Sequence, residues 1–249
     1  MSRSALSLAL LAFVTACSPG VVEPACDPLL DADADGLDDC TELELGTSKD
    51  ASDSDGDGFS DYDEVQCVSD PVDSSEVCYA CGWEHNDPGD LSSIGKQEGD
   101  TLRNLEMIDQ CGETVAIHDL AGAYHIAFIT TQWCTSCLAE ASELRQRTID
   151  FEAEAGMAFS YVIMLFQDIA GDPPDDEVAA EYADVVDARQ RIPVLSDTEQ
   201  AIIDYTPYDG SSLPGKCVLS DRLEMLDCYT GHSDDDAEAF DLIREHAGL

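Results

Sequence analysis

The alternation of apolar and polar positions separates this chain of 249 residues into two unequal parts. From residue 83 onward, short apolar runs alternate with amphipathic stretches. Residues 124 to 131, Tyr-His-Ile-Ala-Phe-Ile-Thr-Thr, read as a buried strand, and the spacing turns helical from Leu138 to Glu154. A second apolar strand follows at Ala158 to Phe166. Beyond it the pattern predicts a helix at Asp175 to Val186, a short strand at Ile192 to Leu195, strands at Gly215 to Leu219 and Glu224 to Tyr229, and a helix at Asp234 to His246. Ahead of these elements, Leu105 to Asp119 reads as a hairpin containing Asp109-Gln-Cys-Gly-Glu113. Strands alternating with helices predict an α/β domain over residues 83–249. Residues 26–82 carry few large apolar side chains and predict a small separate module, with Gly82 to Gly95 as the loop into the larger domain.

Charge sharpens that division. Residues 18–82 hold nineteen acids and a single base, Lys49, within a chain whose net charge is −43. Such a balance excludes a sequence-independent grip on nucleic acid or anionic lipid, since both need Lys and Arg to replace counterions. Eleven cysteines make the compartment decisive, because exported cysteines pair and cytosolic ones serve metals or redox chemistry. The N-terminus answers: Arg3, then the apolar run Ala5 to Val14, then Thr15 and Ala16 have the layout of a secretory signal, too short to cross a bilayer. Val14-Thr15-Ala16-Cys17 resembles a bacterial lipobox; an ordinary cleaved signal is the alternative. The resemblance implies that residues 1–16 are a lipoprotein signal peptide, that Cys17 is lipidated, and that 17–25 tether an extracytoplasmic protein to a membrane. Ser18 is not the Asp-type retention signal, which favours the outer membrane of a Gram-negative bacterium.

The acidic module repeats itself. Asp31, Asp33, Asp35, Gly36, Asp39 and Glu42 recur as Asp53, Asp55, Asp57, Gly58, Asp61 and Glu64, each set fitting a twelve-residue calcium loop. Alternating aspartates converge on one point, the glycine permits a tight turn, and the last glutamate can close the site with two oxygens. Leu37 and Phe59 would supply main-chain carbonyls. Only residues 43–52 separate the loops, too few for an exit helix, a turn and the incoming helix of a second EF-hand. The array resembles thrombospondin type 3 calcium repeats over residues 26–66. What the resemblance implies is a compact module folded by structural calcium with little core; Ser48-Lys49 departs from the usual linker.

In the larger domain, the strand at 124–131 leads directly into Trp133-Cys134-Thr135-Ser136-Cys137. A C-x-x-C at a strand-to-helix junction puts the first sulfur over unsatisfied helix N–H groups, which favours thiolate, and the second a turn further in, placed to attack a mixed disulfide. With Ser212-Leu213-Pro214 ahead of a later strand, this resembles the redoxin branch of the thioredoxin superfamily, closest to the membrane-anchored TlpA/ResA-type thiol-disulfide oxidoreductases and related to AhpC/TSA proteins. The resemblance implies a thioredoxin-like fold, a central mixed β-sheet flanked by helices. It implies Cys134 as nucleophile, Cys137 as resolving thiol, Trp133 beside them, Pro214 as the cis-proline of the substrate groove, and Glu140 as a carrier of the buried thiol's proton. Partners would be thiols or disulfides of proteins or small molecules and an unidentified redox partner, with no organic cofactor.

Several residues depart from that pattern. Thr135-Ser136 stands between the cysteines, where a hydroxyl can reach the Cys134 sulfur. Phe128 occupies the place where thioredoxins proper carry a buried acid. No Lys or Arg lies between Arg103 and Arg145, so the helix terminus is expected to dominate the Cys134 thiol. Thr131, in the T-x-x-C arrangement, keeps a peroxiredoxin-like thiol peroxidase as an alternative, and a non-enzymatic calcium-stabilised surface protein is another. A tight hairpin turning at Arg222-Leu223 would set Cys217 opposite Cys228 and predicts a disulfide there. Pairs 26–40, 67–78 and 81–111 are expected staples, with Cys78 and Cys81 alternatively a second redox pair or half a zinc site. The histidines, including His232, show no ligand spacing, and the acids at 175–177 and 234–236 are expected to face helix N-termini.

Overall fold

A computed structural model describes residues 26, 28–67, 69–74, 78–83, 86, 91, 93–188, 191–208, 210–233 and 235–249. Residues 1–16 and 17–25, expected to be a signal peptide and a tether that begins at Cys17, lie outside the described residues. Among those described, no helix is long and apolar enough to cross a membrane.

The larger domain is built on seven strands: β1 (Glu106–Asp109), β2 (Thr114–Ala116), β3 (Tyr124–Thr130), β4 (Phe159–Leu165), β5 (Val194–Ser196), β6 (Gly215–Leu219) and β7 (Met225–Thr230). They form one mixed sheet in the order β2-β1-β5-β4-β3-β6-β7. The middle strands β3, β4 and β5 run parallel; β1 is antiparallel to β5, β6 to β3, and β7 to β6. Helices α3 (Thr135–Ala155), α4 (Asp176–Val185) and α6 (Ala237–Ala247) pack with one apolar cluster, and the short α5 (Ile202–Tyr205) with the other. This is the thioredoxin-like α/β arrangement.

Period-two side chains explain why β3 is apolar throughout. Ile126 and Phe128 face the cluster that α3 covers, while Ala127 and Ile129 face the opposite one. A strand covered on both faces reads as a continuous apolar run. Its C-terminal end delivers the chain to Cys134 at the N-terminus of α3. Because β6 runs antiparallel with Gly215 opposite Ile129, the cis peptide Leu213–Pro214 lies at that same end of the sheet.

Cys217 and Cys228 face each other across β6 and β7 and are bonded. The route differs from a simple tight hairpin. Leu223 N returns to Ser220 O, so the turn is carried by Asp221 and Arg222, with Leu223 at φ 59. Leu219 then pairs with Met225, and the irregularity beside it restores the pairing of Val218 with Asp227. A β-bulge thus resets the frame by one residue, as a bulge must.

The small module contains two short helices, α1 (Asp39–Leu45) and α2 (Asp61–Cys67). Each begins inside a calcium-type loop, so a helix follows each loop even though no incoming helix fits between them. Asp38 caps α1 by accepting from Cys40 N and Thr41 N. The disulfides Cys26–Cys40 and Cys67–Cys78 staple the module, and Cys81–Cys111 joins it to the β1–β2 hairpin. These bonds leave no thiols for a second redox pair or a zinc half-site at Cys78 and Cys81. The composition changes near residue 82, but the chain enters the domain core earlier: Tyr79 and Cys81 already belong to it, as Trp83 does after them. Trp83 Nε1 donates to Asp109 Oδ2 at 2.8 Å, and Tyr79 OH to Asp119 Oδ2 at 2.6 Å.

Candidate active site and calcium loops

Cys134 is the N-cap of the 21-residue helix α3, and its Sγ accepts the N–H of Cys137 at 3.3 Å. The two cysteines form a disulfide, with Cys134 7% exposed and Cys137 wholly buried. This asymmetry lets an incoming sulfur meet Cys134 first. Free N–H groups and the positive end of a long helix favour negative charge on that sulfur. The first turn of α3 contains no acid to oppose it. Ser136 Oγ lies 3.5 Å from Cys134 Sγ, so of the two intervening hydroxyl residues Ser136 reaches the sulfur.

Trp133 stands beside the pair, 46% exposed, with Nε1 donating to Gln167 Oε1 at 3.2 Å. Gln132 binds the same loop, donating its N–H to Gln167 O and accepting from Ile169 N. Pro214 O accepts from Gly231 N at 2.8 Å. Gly215 follows because a Cβ there would sit 2.7 Å from the Tyr208 ring.

Glu140, one turn on from Cys137 along α3, belongs to a buried ionic cluster. Its centre is Lys216 of β6, opposite Phe128 in register and fully buried. Lys216 Nζ donates to Glu140 Oε1 at 2.5 Å and to Asp236 Oδ1 at 2.6 Å. Arg147 reaches Asp236 Oδ2 at 2.8 Å and lies 3.7 Å from Glu140 Oε1. Tyr161 OH and Tyr229 OH both donate to Asp236, at 2.7 and 3.2 Å. His232 Nδ1 meets Glu140 Oε2 at 2.9 Å, and Ser233 N donates to Oε1. Burial alone would raise the Asp236 carboxyl, but the Lys216 ammonium, Tyr161 and Arg147 hold it below the ordinary carboxylate range. Burial and the neighbouring Asp236 push the Tyr161 and Tyr229 phenols upward.

Asp236 stands at the N-terminus of α6 as its acidic run leads one to expect, but its side chain makes no capping bond; it serves as the buried counter-ion of Lys216 and Arg147. His232, without a partner in sequence, is bonded to Glu140. The one signal that could have exposed the cluster is Lys216 itself, a lysine inside an otherwise apolar strand, because a buried ammonium must be paired. Asp175 does cap α4, accepting from Val178 N. His125 is buried against Leu120 O and Ser160 Oγ.

The two acidic loops repeat one hydrogen-bond pattern. Asp31 accepts from Ala34 N and Gly36 N as Asp53 does from Gly56 N and Gly58 N. Asp35 accepts from Leu37 N as Asp57 does from Phe59 N. Gly36 has φ +117, and a Cβ there would also press on the Tyr62 ring at 3.0 Å. The structure groups Asp31, Asp33 and Asp35, and separately Asp53, Asp55 and Asp57, with oxygens within 4.8 Å of one another. Asp39, Glu42, Asp61 and Glu64 are buried beside these groups. Asp61 differs from Asp39 in accepting from Ser54 N and Oγ.

The closing glutamates carry the test of fit. Both oxygens of Glu42 are buried without a hydrogen-bond partner among the described residues, and Glu64 is equally buried with the Ser69 side chain within reach. Burial and the surrounding aspartates push each carboxyl up to about 7. Buried carboxylates converging with three aspartates are what a hard cation with six to eight oxygen ligands requires.

Residues 53–74 match the model of the bacterial TSP3 repeat. No curated protein matches the chain in sequence. Among solved structures, the chain is similar to peroxidoxin BcpB from Mycobacterium tuberculosis, with 20% identity over 60% of this chain and 97% of that one, TM-score 0.48. It is similar to the thioredoxin domain of a thiol-disulfide oxidoreductase from Bacteroides vulgatus, with 14% identity over 60% and 96%, TM-score 0.45. A third is the exposed lipoprotein thioredoxin of Streptococcus pneumoniae, with 19% identity over 56% and 98%, TM-score 0.40.

Proposed function

We propose that this chain is an extracytoplasmic, lipid-anchored thiol-disulfide oxidoreductase that works through Cys134 and Cys137. The observation that carries this reading is the Cys134 sulfur at the head of α3, accepting a helix N–H, with Cys137 buried beneath it. In the reducing direction, the Cys134 thiolate attacks a substrate disulfide, forming a mixed disulfide and releasing one substrate thiolate. Cys137 then attacks Cys134, closing the intramolecular disulfide and releasing the second substrate thiolate. The protein pair is oxidised and the substrate is reduced; the reverse sequence oxidises a dithiol. Trp133, Leu213 and Pro214 border the approach to Cys134, and Glu140 assists the proton of Cys137. Substrates are disulfides or dithiols of proteins or small molecules, with a separate redox partner resetting the pair.

Two calcium ions would be held by Asp31, Asp33, Asp35, Asp39, Glu42 and the Leu37 carbonyl, and by Asp53, Asp55, Asp57, Asp61, Glu64 and the Phe59 carbonyl. The ions would neutralise the loops and supply folding free energy to a module with little core. Lipid on Cys17 would place the protein on the outer membrane, facing the periplasm or cell surface. Insulin reduction by purified protein beside a Cys134→Ser variant tests the reading. Turnover that vanishes in the variant is expected. Equal turnover in both would remove the redox role, and turnover of peroxide but not disulfides would assign a thiol peroxidase.

A further inference from the structure

Disulfide exchange at a buried sulfur needs a route for a proton, and Glu140 with its neighbours stands one turn from Cys137 along α3. Cys137 and Glu140 are fully buried and stand one turn apart on α3, the spacing that sets two side chains on one helix face. The two oxygens of Glu140 differ in their surroundings. Oε1 is occupied by Lys216 Nζ at 2.5 Å and Ser233 N at 3.2 Å, with Arg147 at 3.7 Å. Oε2 meets His232 Nδ1 at 2.9 Å, and that imidazole is 52% exposed. Among the described residues, Tyr229 on β7 and Tyr182 on α4 also face Glu140. Asp236, on the far side of Lys216, is closed off by Tyr161, Tyr229 and Arg147.

Charge balance shows why an exposed imidazole matters here. Lys216 and Arg147 neutralise Glu140 and Asp236 with His232 uncharged. Ionising Cys137 alone would add an unbalanced negative charge to a buried site, which is costly. A proton moved to His232 keeps the sum at zero and puts the new positive charge where water can solvate it.

We infer that His232 is the proton port of the buried thiol, a positioning residue that acts on Cys137 through Glu140. The inference rests on the exchange reaction proposed above. In the resolving step the Cys137 Sγ–Cys134 Sγ bond forms and the bond from Cys134 Sγ to the substrate sulfur breaks, its electron pair leaving with the substrate thiolate. The Cys137 proton passes through Glu140 to the imidazole and then, through water, to the departing thiolate. The reverse reaction returns it along the same path.

The test uses the full chain, reduced, mixed with the aromatic disulfide 5,5′-dithiobis(2-nitrobenzoate) in a stopped-flow instrument. Attack by Cys134 releases the first chromophore and attack by Cys137 the second, so the two steps read out separately. His232→Asn keeps a donor for Glu140 Oε2 but cannot titrate. The second release should slow on the order of tenfold in this variant and lose its pH inflection, while the first release keeps its rate. The wild type should show that inflection within the range of about pH 5.5 to 8.5. A second release with the same pH profile in variant and wild type would overturn the inference. If the variant fails to fold, the wild type decides: a second release flat between about pH 5.5 and 8.5 overturns the proposal as well. Absence of any first release in the wild type, relative to Cys134→Ser, would instead defeat the exchange reading itself.

Discussion

Without the calcium proposed for it, the acidic module should lose stability as pH rises, the reverse of ordinary acid denaturation. Glu42 and Glu64 lie buried, and their carboxyls are pushed up to about 7 from an ordinary 4.5. A folded-state value above the unfolded one means that the folded module binds the proton more tightly. In calcium-free protein this stabilisation is complete below about pH 4.5 and is lost as pH rises through about 7. After allowance for solvent screening in so small a module, roughly 1 to 2 kcal/mol per glutamate is at stake. Bound calcium would replace the proton and remove the dependence. The assay is limited proteolysis of calcium-free and calcium-loaded protein at about pH 5 and about pH 8, with cuts mapped by mass to residues 31–67. Calcium-free loops should be cleaved much faster at the higher pH, while calcium-loaded loops and the sheet domain stay intact at both. Equal protection with and without calcium at about pH 8 would refute the reasoning, as would calcium-free loops that grow more resistant as pH rises.

Other consequences follow from the same geometry. Cys137→Ser should trap a mixed disulfide on Cys134 that mass spectrometry detects as one added substrate, whereas Cys134→Ser should trap none. Lys216→Met leaves Glu140 and Asp236 buried with Arg147 as their remaining strong cation; a loss of about 3 kcal/mol is expected, lowering the thermal midpoint by roughly 6 to 12 °C in calorimetry. Replacing Cys217 and Cys228 together by Ser should cost at most about 3 kcal/mol in denaturant unfolding, since the β-ladder pairs the strands without the bond. Gly215→Ala forces a methyl toward the Tyr208 ring and should cost about 1 to 3 kcal/mol by the same measurement; an unchanged midpoint would mean that Tyr208 moves aside.

What could be read from the sequence was local. The strands and helices announced themselves because side-chain periods of 2 and 3.6 depend on a few neighbouring residues. Cys134 and Cys137 were legible because three residues along a helix bring two sulfurs together, and the acidic loops because their ligands lie within twelve consecutive positions. The Cys217–Cys228 pairing followed from counting across one hairpin, although the fold reaches it through a bulge. Tertiary structure decided everything whose partners lie far apart. Lys216 meets Glu140 across 76 positions and His232 meets it across 92, so no window of sequence contains the cluster. Asp236 looked like one more acid at a helix start until β4, β6 and β7 surrounded it with Tyr161, Lys216 and Tyr229. Tyr79 looked like the end of a polar module until Asp119 received its hydroxyl. Burial is what gives these residues their chemistry: a charge must find its counter-charge where water is excluded, and only the packed sheet determines where that is.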